Sequence, residues 1–223
     1  MNRSRSYFLS SIGRKQLVGV TGLILSGFVL LHMLGNLLIF CGPETYNMYG
    51  HKMVTNPLLY PAEAILVLAF FMHLGLALRL ALSNKQARPD SYAVNAEGEK
   101  GTGLIKKTLW HQGIVLAVFV VLHLITFKYG AHYDYVSKTT GETIRDLHRL
   151  IVEIFQNPSY VAGYVVCLII LGLHLSHGFS SAFRTLGFNH PKYDDKVRKL
   201  GVLYALIVAI GFISQPIYVY FVH

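Results

Sequence analysis

The feature that most limits what this chain can fold into is a set of long apolar segments without a charge in them. No Asp, Glu, Lys or Arg occurs from Gln16 to Pro43, from Thr108 to Phe127, from Ile154 to Phe183, or from Leu200 to the C-terminus. A helix needs about 20 predominantly apolar residues to cross roughly 30 Å of hydrocarbon, and each of these segments is long enough. A fifth runs from about Pro61 to Leu82, with Glu63 near one end and Arg79 near the other. The expected fold class is therefore an all-α membrane protein with five transmembrane helices. Composition agrees: 53% of the residues are hydrophobic and 14% charged, outside the ordinary range of soluble domains. The first apolar stretch is too long for the core of a cleavable signal peptide, and no A-x-A-like site follows it, so it is expected to remain as a spanning helix. The polar connections near Pro89 to Gly103 and Tyr133 to Asn157 are too short to be domains, and 1–223 reads as one domain.

The formal charge of +9 is no sign of nucleic-acid binding, because the basic residues lie in loops between apolar blocks and not on one amphipathic surface. Membrane topology explains them. Fifteen Lys and Arg fall on the side of the N-terminus and of the second and fourth connections, and five on the other side. By the positive-inside rule the N-terminus is expected in the cytoplasm of a cell with the chain in its inner membrane, and His223 outside.

Five of the eleven histidines lie well inside the apolar spans: His32, His73, His123, His174 and His177. An ionisable side chain in a span is costly and usually faces the bundle interior with a partner. Interhelical hydrogen bonding by neutral imidazoles is one reading. Four different helices carrying them suggests another, since imidazole ligates haem iron and facing helices build cofactor sites. His32 is 17 residues beyond Lys15 and His123 is 16 beyond Lys107, so both sit roughly 24–26 Å from the basic boundary. His73 is 6 residues before Arg79 and His177 is 7 before Arg184, roughly 9–11 Å from the same boundary. Two pairs at two levels, about 14–16 Å apart, are what two stacked bis-histidine haems require. Cys41 and Cys167 belong to no CxxCH pattern, so any haem is held non-covalently. A di-iron bundle would want Glu-x-x-His, which these spans lack, and a proton-coupled transporter would want mid-depth acids, for which only Glu63 is available.

Small residues flank these histidines: Gly27 and Gly35 around His32, Gly75 near His73, Gly172 and Gly178 around His177. They would let a flat macrocycle approach, or let helices pack closely.

The stretches LLHMLGNL around His32, HLSHGFSSAFRTLGFNHPKY from His174, and SIGRKQLVGVTG at the entry to the first span resemble the haem-binding membrane anchor of succinate:quinone and quinol:fumarate oxidoreductases. The type with one five-helix anchor and two haems b fits best. The resemblance implies an electron-transfer subunit, not itself the catalytic one, that relays electrons between quinone and an iron–sulfur subunit. It implies an outer haem on His32 and His123 and an inner haem on His73 and His177, with His177 favoured by its HG position and His174 an accessory contact one turn away. Some members carry a glutamate two residues before that ligand, thought to move protons; Leu175 stands here, so that path does not carry over. Implied partners are a flavoprotein and an iron–sulfur subunit on the cytoplasmic side, with a dimer of the whole complex left open. Menaquinone or another quinone is the implied substrate.

Near the outer level, Glu63, His51, Tyr46 and Asn56 are candidates for the quinone site. Near the inner boundary, Arg14, Lys15, Lys107, Trp110, His111 and Arg184 are candidates for haem propionates. Other dihaem quinone-linked cytochromes, such as those of hydrogenase or formate dehydrogenase, and a haem-free transporter remain as alternative readings.

Overall fold

The computed structural model describes residues 10–86, 104–188 and 190–223. Five of its helices are long and apolar enough to cross a membrane: Ser11–Cys41, Leu59–Asn84, Thr108–Lys128, Pro158–Thr185 and Pro191–Val222. The first is helix α1, Ser11–Asn36, tightening into a 3-10 turn over Leu37–Cys41. Its start is fixed by Ser10, whose hydroxyl accepts from the Gly13 amide, satisfying one of the free N–H groups of the first turn. Gly42, at φ 88°, turns the chain, and Pro43 opens the short helix α2, Pro43–Thr55. Only glycine adopts that backbone at little cost, and proline at a first helical position gives up an N–H that has no partner anyway.

The second span is α3, Leu59–Gln86, and the third is α4, Leu104–His123, which passes directly into a π-helical turn over Leu124–Lys128. The side chain of Arg145 closes that turn by donating to the carbonyls of Phe127, Lys128, Gly130 and Ala131. Strands β1, Asp134–Val136, and β2, Thr143–Arg145, pair antiparallel as a hairpin. A short amphipathic helix, α5, Leu147–Phe155, follows with His148, Leu150, Ile151 and Phe155 buried. The last two spans are α6, Pro158–Thr185, and α7, Pro191–Val222.

The end of the bundle where α1 begins is here the near end, and the other the far end. Sequence reading treats the far-end connections as plain loops. They form instead a folded cap in which Ile39, Tyr46, Ile151, Phe155 and Val219 make one buried cluster. Glu44 ties α2 to the hairpin, accepting from the Tyr135 and Ser137 hydroxyls and from the amides of Lys138 and Thr139. Asn47 bridges to Asp146 and accepts from the His148 amide. A second cluster, Leu175, Ala205 and Val208, lies in the spans between α6 and α7.

Candidate functional site

His32 on α1 and His123 on α4 lie with their ring planes nearly perpendicular and their ring centres 5.7 Å apart. His73 on α3 and His174 on α6 do the same at 6.4 Å. Two imidazoles on opposite sides of one metal ion, each bound at about 2.0 Å, hold their ring centres about 6 Å apart. Both pairs therefore have the spacing for a shared metal, and they join the first span to the third and the second to the fourth. Among the described residues no group of three or more His, Cys, Asp or Glu could hold a bare metal ion. A pair of imidazoles is nevertheless the whole protein contribution to a six-coordinate haem, because the porphyrin supplies the other four donors.

The surroundings of each ring fit a ligand. His73 Nδ1 lies 3.1 Å from the Val18 carbonyl and 3.3 Å from the Thr21 hydroxyl. Binding one ring nitrogen to a backbone carbonyl fixes the tautomer and leaves Nε2 for a metal. Glycine at position 22 makes this approach possible: a Cβ there would come within 3.1 Å of the ring. His123 Nδ1 lies 3.1 Å from the Tyr164 hydroxyl. His174 Nδ1 is buried with no hydrogen-bond partner among the described residues, which is costly in an apolar interior unless something else meets it. His32 is flanked by Asn36, whose amide donates to the His32 carbonyl at 2.8 Å and whose oxygen accepts from the buried Tyr46 hydroxyl.

Sequence reading pairs His73 with His177; the structure brings the ring of His174, three residues earlier, to within 6.4 Å of His73. The two are three residues apart on one helix, so they point to neighbouring sectors of the same face. The flanking glycines divide by role. A Cβ on Gly35 would overlap the Tyr49 hydroxyl, and one on Gly172 would touch the Ala209 side chain, so these two serve packing. Beside Gly27, Gly75 and Gly178 there is open space.

Of the quinone-site candidates, Glu63 is ion-paired with Lys128, which ends the π-helical turn five residues after His123. Tyr46 is buried and bonded to Asn36. His51 faces Glu142 at 3.9 Å, and Asn56 accepts from the Leu58 amide as a local turn bond. Of the propionate candidates, Arg14 and Lys15 sit in the first turns of α1, Trp110 and His111 have ring centres 3.6 Å apart, and Arg184 is ion-paired with Asp194 on α7. The side chain of Lys107 lies outside the described residues.

Sequence reading missed Val18, Thr21, Gly22, Asn36 and Tyr164 as partners of the histidines. Thr21, Asn36 and Tyr164 carried a usable signal, being polar groups inside apolar spans that need partners there; the Val18 carbonyl carried none. No family model matches the chain, and comparison with curated proteins and with solved structures found no match, so the functional reading rests on the chain's own residues.

Proposed function

We propose that the chain is a dihaem membrane cytochrome, the anchor subunit through which a succinate:quinone or quinol:fumarate oxidoreductase exchanges electrons with quinone. The observation that carries it is the pair of facing histidine pairs on four helices, each at a spacing two imidazoles would have in sharing one haem iron. His32 and His123 would hold the far haem, and His73 and His174 the near one. A b-type haem with two imidazole ligands supplies one-electron transfer and has no open position for oxygen. The protein's part is to fix the ligands, and it does so by the Val18 carbonyl on His73 and the Tyr164 hydroxyl on His123.

In this reading the near end is cytoplasmic, following the basic residues there, and the membrane is the cell's inner one. A flavoprotein and an iron–sulfur subunit dock on that end. Quinone chemistry couples electrons to protons, and Glu63, ion-paired with Lys128 five residues past His123, is the group to exchange them. Glu63→Gln would lose quinol-linked turnover while keeping both haems and complex assembly; normal turnover would remove Glu63 from the mechanism.

The haem reading itself is tested by a reduced-minus-oxidised absorption spectrum of the purified chain. A b-type signal with two haems per chain is expected, and its absence would leave a haem-free transporter or structural anchor. Co-purification with a flavin-containing subunit separates the succinate and fumarate enzymes from a hydrogenase or formate dehydrogenase cytochrome.

A further inference from the structure

The two histidine pairs differ in what stands behind them. On the near side, His73 leans on α1 through a main-chain carbonyl, at a place where Gly22 leaves room for the ring. No side-chain substitution removes that acceptor. On the far side, His123 leans on a side chain, the phenol of Tyr164, at 3.1 Å. The Tyr164 ring is itself held from several directions: Phe119 at 4.9 Å, Phe155 at 5.1 Å and Phe127 at 5.9 Å meet it edge to face, and Tyr160 stacks on it at 5.3 Å. A ring boxed in this way keeps its hydroxyl in one place, which a positioning group must do.

We infer that Tyr164 is the positioning residue of His123, accepting its Nδ1 proton and thereby setting the redox potential of the far haem separately from the near one. The inference rests on the haem reading above. With iron on Nε2, Nδ1 must carry the ring proton and needs an acceptor. The Tyr164 oxygen is at hydrogen-bond distance for that role. An accepted Nδ1 proton makes the imidazole a stronger electron donor, which favours the oxidised iron and lowers the potential. Loss of the acceptor raises it. The effect belongs to the far site alone, because His73 has its own carbonyl.

The test uses the full haem-loaded chain and reads potentials, not turnover. Tyr164→Phe keeps the ring and its aromatic neighbours and deletes the oxygen. A second variant places 3,5-difluorotyrosine at position 164, which keeps the hydroxyl but weakens it as an acceptor, so folding and haem content are preserved if the phenylalanine variant loses the far haem. Tyr160→Phe is the control, since it deletes a neighbouring hydroxyl and keeps the stack on Tyr164. In redox titrations the midpoint of one haem should rise in the difluorotyrosine protein, and further in Tyr164→Phe, while the other stays fixed and Tyr160→Phe moves neither. The shifted haem should be the one absent from a His123→Ala chain. Unmoved midpoints in the difluorotyrosine protein, or both midpoints moving together, would overturn the inference. A wild-type chain without haem would instead sink the reading beneath it.

Discussion

The α6–α7 side of the bundle and the α3–α4 side are built differently. Along α7, Val208 and Val219 are fully buried, Phe179 and Tyr204 stack at 4.3 Å, and the Tyr204 hydroxyl donates to the Ser26 carbonyl on α1. Gly201 and Gly211 bring backbones close enough that a Cβ would press on Ser180 and on the buried Met33. Within the most apolar stretch of each span, 33% of the fifth and 11% of the fourth is buried, against 6% for each of the second and third. Ala69 is the buried apolar residue of α3, and Ile65, Leu68 and Phe71 remain exposed. Lipid covers part of such a surface, but two of the four facing histidines, His73 and His123, stand on these sparsely packed helices. One side of the bundle is closed by its own side chains; on the proposed reading, haems would complete the core of the other.

The largest effect that could break this comparison is cofactor removal. Extraction of the proposed haems should raise amide hydrogen exchange by orders of magnitude along α3 and α4 while the α6–α7 seam keeps its protection, since local openings start where few buried contacts hold. Uniform loss of protection along all five spans would mean that the two sides are one unit. A smaller effect comes from adding a methyl group to each side. Gly211→Ala, pressing on a Met33 that is 2% exposed, should destabilise the chain by about 1–3 kcal/mol. Gly75→Ala meets open space and should be neutral or stabilising by up to about 1 kcal/mol from helix propensity. Thermal unfolding of both variants in detergent checks the contrast, and equal losses would refute it.

Acid should act on the far-end cap and spare both sides of the bundle. The Lys138 amide, then the hydroxyl of Ser137, with Thr139 and Tyr135, holds the Glu44 carboxyl down at about 2 from an ordinary 4.5. A depressed folded-state value means that the carboxylate's contribution is complete above pH 4.5 and fades as pH falls from there towards 2. Exchange in the hairpin Asp134–Arg145 should therefore rise below pH 4.5 in the native chain, and Glu44→Gln should show that exchange at neutral pH. A hairpin insensitive to both would remove Glu44 as its tie. The smallest effect is expected at the ion pair joining α3 to the end of the third span. Lys128→Met leaves Glu63 half-exposed and should cost no more than about 1 kcal/mol in thermal stability. A larger loss would mean that the pair helps to close the sparse side.

The spans were legible because lipid imposes a simple demand on sequence, about twenty apolar residues per crossing. Even the second span, with Glu63 and Arg79 near its ends, is one continuous helix. The cap was not legible. Its short helix and hairpin are held by contacts such as Glu44 with Ser137 and Asn47 with Asp146, which are some 90 to 100 residues apart in the chain. No local pattern announces such pairs. Histidine depth could be read from helical rise, and His32 and His123 placed that way do meet. Helix phase could not be read so well, since His174 and His177 differ by a single turn, and the choice between them depends on how α6 is rotated against α3. The Val18 carbonyl behind His73 lay beyond sequence reading altogether, because every residue has a carbonyl and only packing shows which one is used.

The central claim is that each facing pair of histidines holds one haem, and haem stoichiometry with redox titration of single alanine variants tests it most directly. His32→Ala and His123→Ala should each leave one haem, the same one in both. His73→Ala and His174→Ala should each leave the other, and His177→Ala should keep two. Loss of the same haem from His32→Ala and His73→Ala, retention of both haems in His174→Ala with loss in His177→Ala, or no b-type signal from the unmodified chain would contradict it.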